Sequence, residues 1–465
     1  LGKLGSATGG GTGGTGGTGG TGGTGGTGGT GGTGGTGDGG GVVGDDGIGV
    51  GIGDGGGVVG GGDLVGTRAT DAPTGPNLPD DTIAAYERIT FAVGAAHVAW
   101  DTLRDQLSFD ADVAGRYERR LEREKMAWGI GGGARVVTGY LNPDGSESAR
   151  AAIVSLDVGG EGRFYMTPSI YGVGRAVVAG QLFYIANVPP MGGAETRDTR
   201  TALDFQLALG VGYGRILDVG AALRVRRIAT VLEKSRALGR PIDDALARRL
   251  QLAWWGLRNE RSLHRHLTVT VAILREAGVL LGEPDAGLAY ELLEVLRDGQ
   301  LNRRTSGIDA ELAFGEGFLV REDDPGVPDG RIEQLLARFT YAKQLPGDTS
   351  EIAGEALARL RLFAPDMTPA PWALVASARW RKFTYGEHFD PLLAFDITAM
   401  SGVSDDDEMT EMGLMVGGEI GITFRPNLAS ALRLAGAARM DSGEIFIGAT
   451  LEATYGLADG SVSRF

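Results

Sequence analysis

From 412 to 424 the sequence alternates without a break. The even positions are Met412, Leu414, Val416, Gly418, Ile420, Ile422 and Phe424; the odd ones are Gly413, Met415, Gly417, Glu419, Gly421 and Thr423. Successive side chains of a strand point to opposite faces, so this period specifies a long strand with one apolar face. After Arg425-Pro426-Asn427 the pattern resumes with Leu428, Leu432, Leu434 and Ala438 against Ala431, Arg433, Ala435 and Arg439. A third run sets Ile445, Ile447, Leu451 and Tyr455 against Gly448, Thr450, Glu452 and Thr454. Upstream, Leu203 to Tyr213, Leu217 to Val225 and Trp372 to Trp380 alternate in the same way. Strands of soluble sandwiches run to about five or six residues and put charge on their outer face. The three C-terminal runs are about twice that length, and their second face mixes Gly, Ala and Thr with scattered charges.

Trp372, Trp380, Tyr213 and Tyr455 fall toward the ends of these runs, where an aromatic girdle would sit. The pattern resembles a bacterial outer-membrane β-barrel, apolar toward lipid and polar toward its lumen. The chain ends in Phe465, as many such proteins do, although Asp459, Ser461 and Ser463 break the alternation leading to it. The resemblance covers about 131–228 and 306–465 and is to a class of proteins. With its inserted helices the chain is similar to myxobacterial envelope proteins. The resemblance implies a mainly β fold, an antiparallel transmembrane barrel of about 10 to 14 strands. It also implies a Gram-negative outer-membrane location, with the cell surface as the alternative. Outer-membrane lipid and other envelope proteins are the partners implied. Leu1 in place of Met fits a removed leader.

Turn lengths suggest a register. A three-residue turn at Arg425–Asn427 sets Glu419 opposite Arg433, and a four-residue turn at Asp441–Glu444 sets Arg433 opposite Glu452. Glu419, Arg433 and Glu452 would then form a charge ladder on the lumen face, with Arg439 further along the same face. Opposite charges paired across strands contribute roughly 0.2–1 kcal/mol each.

Residues 1–66 hold 37 of the 82 glycines. Thr12, Thr15, Thr18, Thr21, Thr24, Thr27, Thr30, Thr33 and Thr36 recur every third residue. Composition alone reads as a flexible linker. A period of three is also the repeat of the polyproline II helix, which would align every Thr on one edge and leave two bare Gly edges. The segment resembles polyglycine II, whose helices hydrogen-bond only to neighbours, so an ordered tail implies a homo-oligomer. Asp38, Asp45, Asp46, Asp54 and Asp63 lie among Gly without the regular spacing of calcium-binding repeats.

Three regions read as helical. In 67–130, Tyr86, Ile89, Val93, Ala96, Trp100, Leu103 and Leu107 are spaced by threes and fours, and Val113, Tyr117 and Leu121 by fours. A helical insertion is expected over 229–305, after barrel strands at 131–228. A helical hairpin is expected near 331–362, within the strands of 306–465, from Ile332, Leu335, Leu336 and Phe339 and then Ile352, Ala356 and Leu360.

Nothing in the sequence suggests catalysis. There is no Cys, which removes thiolate chemistry and disulfides. His264 and His266, two apart, fall on different sides of a helix, and no phosphate loop or nucleophile elbow is present. Gly210-Val211-Gly212-Tyr213-Gly214 sits at the end of an alternating strand and reads as small inward residues. The net charge of −15 argues against nucleic acid as a partner. The expectation is a non-enzymatic barrel without cofactor or metal. It would serve as a structural envelope component or pore, homo-oligomerised through its tail and helices. The rival reading is a subunit of an appendage or adhesin with a polyglycine shaft.

Overall fold

A computed structural model of the chain describes residues 78–101, 106–141, 148–188, 196–260, 262–322, 330–363, 372–384, 390–403, 410–425, 428–439 and 445–463. The Gly-rich tail, with its row from Thr12 to Thr36, lies outside the described residues. Fourteen strands follow one another around a closed barrel. They are β1 (Thr82–Asp101), β2 (Gln106–Arg123), β3 (Met126–Leu141), β4 (Ser148–Tyr165), β5 (Ile170–Val188), β6 (Thr196–Asp218) and β7 (Thr305–Glu322). The second half comprises β8 (Gly330–Gln344), β9 (Ser350–Phe363), β10 (Trp372–Phe383), β11 (Asp390–Val403), β12 (Thr410–Arg425), β13 (Leu428–Arg439) and β14 (Ile445–Ser463). Every strand pairs antiparallel with its neighbours in sequence, and β14 returns to β1. Closure leaves no unpaired edge, so backbone groups are satisfied without water.

The alternation sorts side chains as expected of a lipid-facing wall. Leu209, Val211, Leu312, Phe314, Phe395, Ile397, Val416, Ile420, Leu432, Leu434, Ile447 and Leu451 all project from the outer face and are exposed. Several of their neighbours in sequence, Glu311, Ala313, Ala394, Asp396 and Glu419 among them, are buried in the interior. Trp380 and Phe395 stack on the outside of β10 and β11, with centroids 5.9 Å apart. No described helix is long and apolar enough to cross a membrane, which says nothing about strands.

The two rims differ. At one, here the near end, β1 starts, β14 ends, and the connections other than the one between β6 and β7 span two to six residues. The seven connections at the far end span four to eight residues each. Between β6 and β7 the near end carries a helical unit: α1 (Gly220–Lys234), α2 (Asp244–Gly256), α3 (Leu263–Glu276), α4 (Ala286–Arg297) and a 3-10 turn, Gly299–Arg303. Asp243, Ser262 and Asp285 cap α2, α3 and α4 by accepting from backbone N–H groups of the first turn. Ile228, Leu232, Leu250, Leu274, Val279 and Leu292 form a core of their own.

Three sequence expectations are corrected. The 67–130 region is not helical: its described part forms β1, β2 and the start of β3. Val113, Tyr117 and Leu121 are four apart, a spacing that serves one helix face and equally every second outward position of a strand. In β1 the register slips between Gly94 and His97, so no single alternation runs its length. The hairpin near 331–362 is β8 and β9, not helices. Conversely, the alternation from Leu217 to Val225 ends its strand at Asp218, and α1 begins at Gly220. Ala221, Ala222, Leu223 and Val225 are buried on every side of α1, which erases helical periodicity.

Candidate functional site

The lumen wall contains two strips without side chains. On β3 the inward positions Gly129, Gly131 and Gly133 leave room for charges on β2 to reach β4. Arg120 Nη1 lies 3.5 Å from Glu161 across this strip, and Tyr165 donates to Glu122 Oε2 at 3.1 Å. On β6, Gly210 and Gly212 let β5 reach β7 in the same manner. A Cβ on Gly212 would overlap the Tyr171 ring. Tyr171 donates to Asp309, and Arg175 joins Glu161 at 2.8 Å and Glu311 at 2.7 Å. Arg163 bonds Glu161, reaches Asp309 at 2.8 Å and covers the Tyr171 ring at 4.5 Å. The result is a continuous buried network from β2 to β7. Buried charges are tolerated only when each has partners enough to replace water, and here every Arg bridges two acids.

The last residues of β6 turn across the near opening. Gly214 (φ 101°) and Gly307 (φ 133°) occupy the left-handed half of backbone space that side chains disfavour. Beyond this kink Arg215 donates to Arg123 O at 3.1 Å and Glu124 O at 2.7 Å and lies over Tyr165, 3.6 Å from its centroid. Asp218 bonds Arg88 of β1, a strand on a different arc of the barrel, so this ion pair spans the lumen. The other Asp218 oxygen accepts from the backbone N of Gly220, the first residue of α1, at 3.0 Å. On the return side, Arg304 is fully buried, stacks on Phe383 at 3.5 Å and donates to Gln344 at 3.2 Å. Glu351 accepts from Gln344 at 2.6 Å and from Arg381. Entry and exit of the helical unit are thus pinned to different walls, β1 on one side and β8–β10 on the other. Gln251 of α2 further accepts from Ser463 N at 2.7 Å, and Arg258 pairs with Glu87 at 2.7 Å.

Exposure changes along the axis. Near the helical unit the side chains of Arg163 and Glu161 are each 2% exposed. Toward the far end Arg116 and Asp157 reach 42% and 43%, and Arg135 40%. The lumen is a cup, solvated from the far end and filled at the near end. Between residues 219 and 304 the chain carries 15 Lys and Arg against 10 Asp and Glu, the reverse of the protein's overall sign. A basic unit closes an acidic barrel.

Of the expected ladder, Glu419 stands opposite Arg433. Arg433, however, pairs with Thr450, and Glu452 stands opposite Ala431. The β13–β14 connection is longer than a four-residue turn, because Ala438 pairs with Ile445 and strand pairing stops there. Glu452 accepts from Thr454 at 2.8 Å, and Glu419 has Arg379 of β10 at 4.0 Å. Arg439 pairs with Gly413 toward the far end. The sequence reading missed the β2–β7 network. Its signal was present: Arg116, Glu118, Arg120 and Glu122, Glu161 and Arg163, and Asp309 and Glu311 recur every second residue, the mark of charges on one strand face. Among the described residues no group of three or more His, Asp or Glu is placed to hold a metal.

No family model matches the chain, and no curated protein matches it. Among solved structures it is similar to the translocator domain of the autotransporter NalP from Neisseria meningitidis, at 9% identity and a TM-score of 0.30, covering 83% of this chain and 91% of that one. It is also similar to the β domain of the Bordetella autotransporter BrkA, at 9% and 0.31, over 81% and 99%. The toluene transporter TodX of P. putida follows at 10% and 0.33, over 86% and 93%. Nothing about activity follows from likenesses at this level. The barrel itself, closed, apolar outside and charged within, has the architecture of an outer-membrane β-barrel.

Proposed function

We propose that the chain is a non-enzymatic outer-membrane β-barrel that acts as a gated pore, with the helical unit as its gate. The observation that carries this reading is the cup: charges solvated at the far end give way to a packed network and helices at the near end. Short turns face the periplasm in barrels of this kind, so the near end, with the start of β1, the end of β14 and the helices, would lie on that side. The Gly-rich tail would enter from the same rim through Leu78 and serve homo-oligomerisation.

Single-channel conductance in a planar bilayer tests the gate. The intact protein should show low or rare conductance, and a variant with 219–304 replaced by a short turn should give steady ohmic steps. Silence from both, with insertion confirmed by protease protection, would reject the pore and leave a structural envelope role.

A further inference from the structure

Among the described residues the outward wall is covered by protein at the near end of the β14–β1–β2 seam. Ala85 on β1 is the cross-strand partner of Leu121 on β2 and of Val462 on β14. The β1–β2 pairing runs unbroken from Ala84 to Gly94, so Ala85 and Leu121 share the face of Phe91, Val93 and Val113, which are exposed outward. Ala85 and Val462 are nonetheless buried, against Trp255 of α2, with Leu78 and Leu121 packed beside them. Glu87, next along that face, holds Arg258. Beside this patch Trp128, partner of Leu121, carries Arg119 over its ring at 5.5 Å, and Ile130 is exposed. So α2 replaces lipid over the β14–β1–β2 seam, next to wall that faces lipid.

The faces of α2 sort accordingly. Leu246, Leu250 and Trp254 enter the helical core, while Gln251 and Trp255 meet the barrel rim. Leu252 follows Gln251 by one helical step, on the side away from Leu246, and is 39% exposed. Arg248 falls between Trp255 and Leu252 around the helix, and Ala245, seven residues before Leu252, shares its face and is exposed. An apolar residue flanked by Arg beside a lipid-facing wall is the composition of a helix lying in a membrane interface.

We propose that α2 lies in the headgroup–acyl boundary of the near-end leaflet, with Leu252 inserted among phospholipid chains. The proposal rests on the reading that the barrel spans a bilayer, and its occupant follows from continuity with the lipid-facing wall. The chain has no Cys, so single Cys variants label cleanly. L252C would carry an environment-sensitive fluorophore in the full-length protein, in phosphatidylcholine–phosphatidylglycerol vesicles containing doxyl lipid. L209C on the barrel wall is the lipid-exposed reference. E283C is the aqueous one, because Glu283 is an exposed residue between α3 and α4 whose side chain pairs with Arg275. The expected result is doxyl quenching at 252 at least half that at 209, with iodide quenching several-fold below that at 283. A label at position 252 that behaves like the one at 283, while 209 is quenched, overturns the proposal. Failure of quenching at 209 itself would instead reject the membrane-spanning reading. A245C on the same face serves if L252C does not insert.

Discussion

Tyr171 can occupy its place only because Gly212, its cross-strand partner, has no side chain. The ring is fully buried, its hydroxyl donates to Asp309, and the Arg163 guanidinium closes over it. Gly212→Ala therefore forces Tyr171 aside. Overpacking of this kind costs about 1–3 kcal/mol. Losing a hydrogen bond to a charged acceptor adds roughly 1.5–3 kcal/mol. Against this, Ala in a strand is favoured over Gly by about 0.5–1 kcal/mol. The expected net loss is thus about 1.5–5.5 kcal/mol. In a Tyr171→Ala background the clash and the hydrogen bond are already gone, and Gly212→Ala should be neutral or slightly stabilising. Urea unfolding of the vesicle-reconstituted protein, followed by Trp fluorescence, measures all four corners of the cycle. An equal cost of Gly212→Ala with and without Tyr171 would show that the glycine strip does not exist to admit that ring, and the account of the β5–β7 network would fail with it.

Removing one partner of a buried ion pair costs about 3–5 kcal/mol. Under the proposed gating by the helical unit, Arg88→Ala should accordingly raise the open probability by two or more orders of magnitude in single-channel records, and an unchanged record would detach Arg88 from the gate. His266 is held below its ordinary value near 6.5, first by burial and then by the nearby Arg224, against the opposing pull of the Glu260 carbonyl. Its neutral form is the one the fold favours, so its contribution to stability is complete above about pH 6.5 and fades as pH falls below that. Hydrogen exchange in α3 should be faster at pH 5 than at pH 7 after correction for intrinsic rates, and His266→Gln should flatten that difference. A double-mutant cycle between Glu419 and Arg433 should return roughly 0.2–1 kcal/mol, whereas Arg433 with Glu452 should couple more weakly because the two are not directly opposed.

Period two from Met412 to Phe424 and through the strands after it was enough to establish a barrel wall, because lipid and lumen impose opposite demands on successive residues. The Glu419–Arg433 pairing was equally legible, since a short turn transmits register directly. Across the longer β13–β14 connection it was not, and Glu452 slipped by two. What sequence periodicity could not separate was a spacing of four, as in Val113, Tyr117 and Leu121 or Ile352, Ala356 and Leu360, which satisfies strand and helix alike. Nor could local pattern reveal that Arg120 and Glu161 meet across β3, or that Arg88 and Asp218 meet across the lumen. Those contacts depend on which strands closure brings together and on where glycine removes the side chain between them. Alternation in the chain decided that a wall forms; the curvature of the closed barrel decided which charges fill it and where the helices sit.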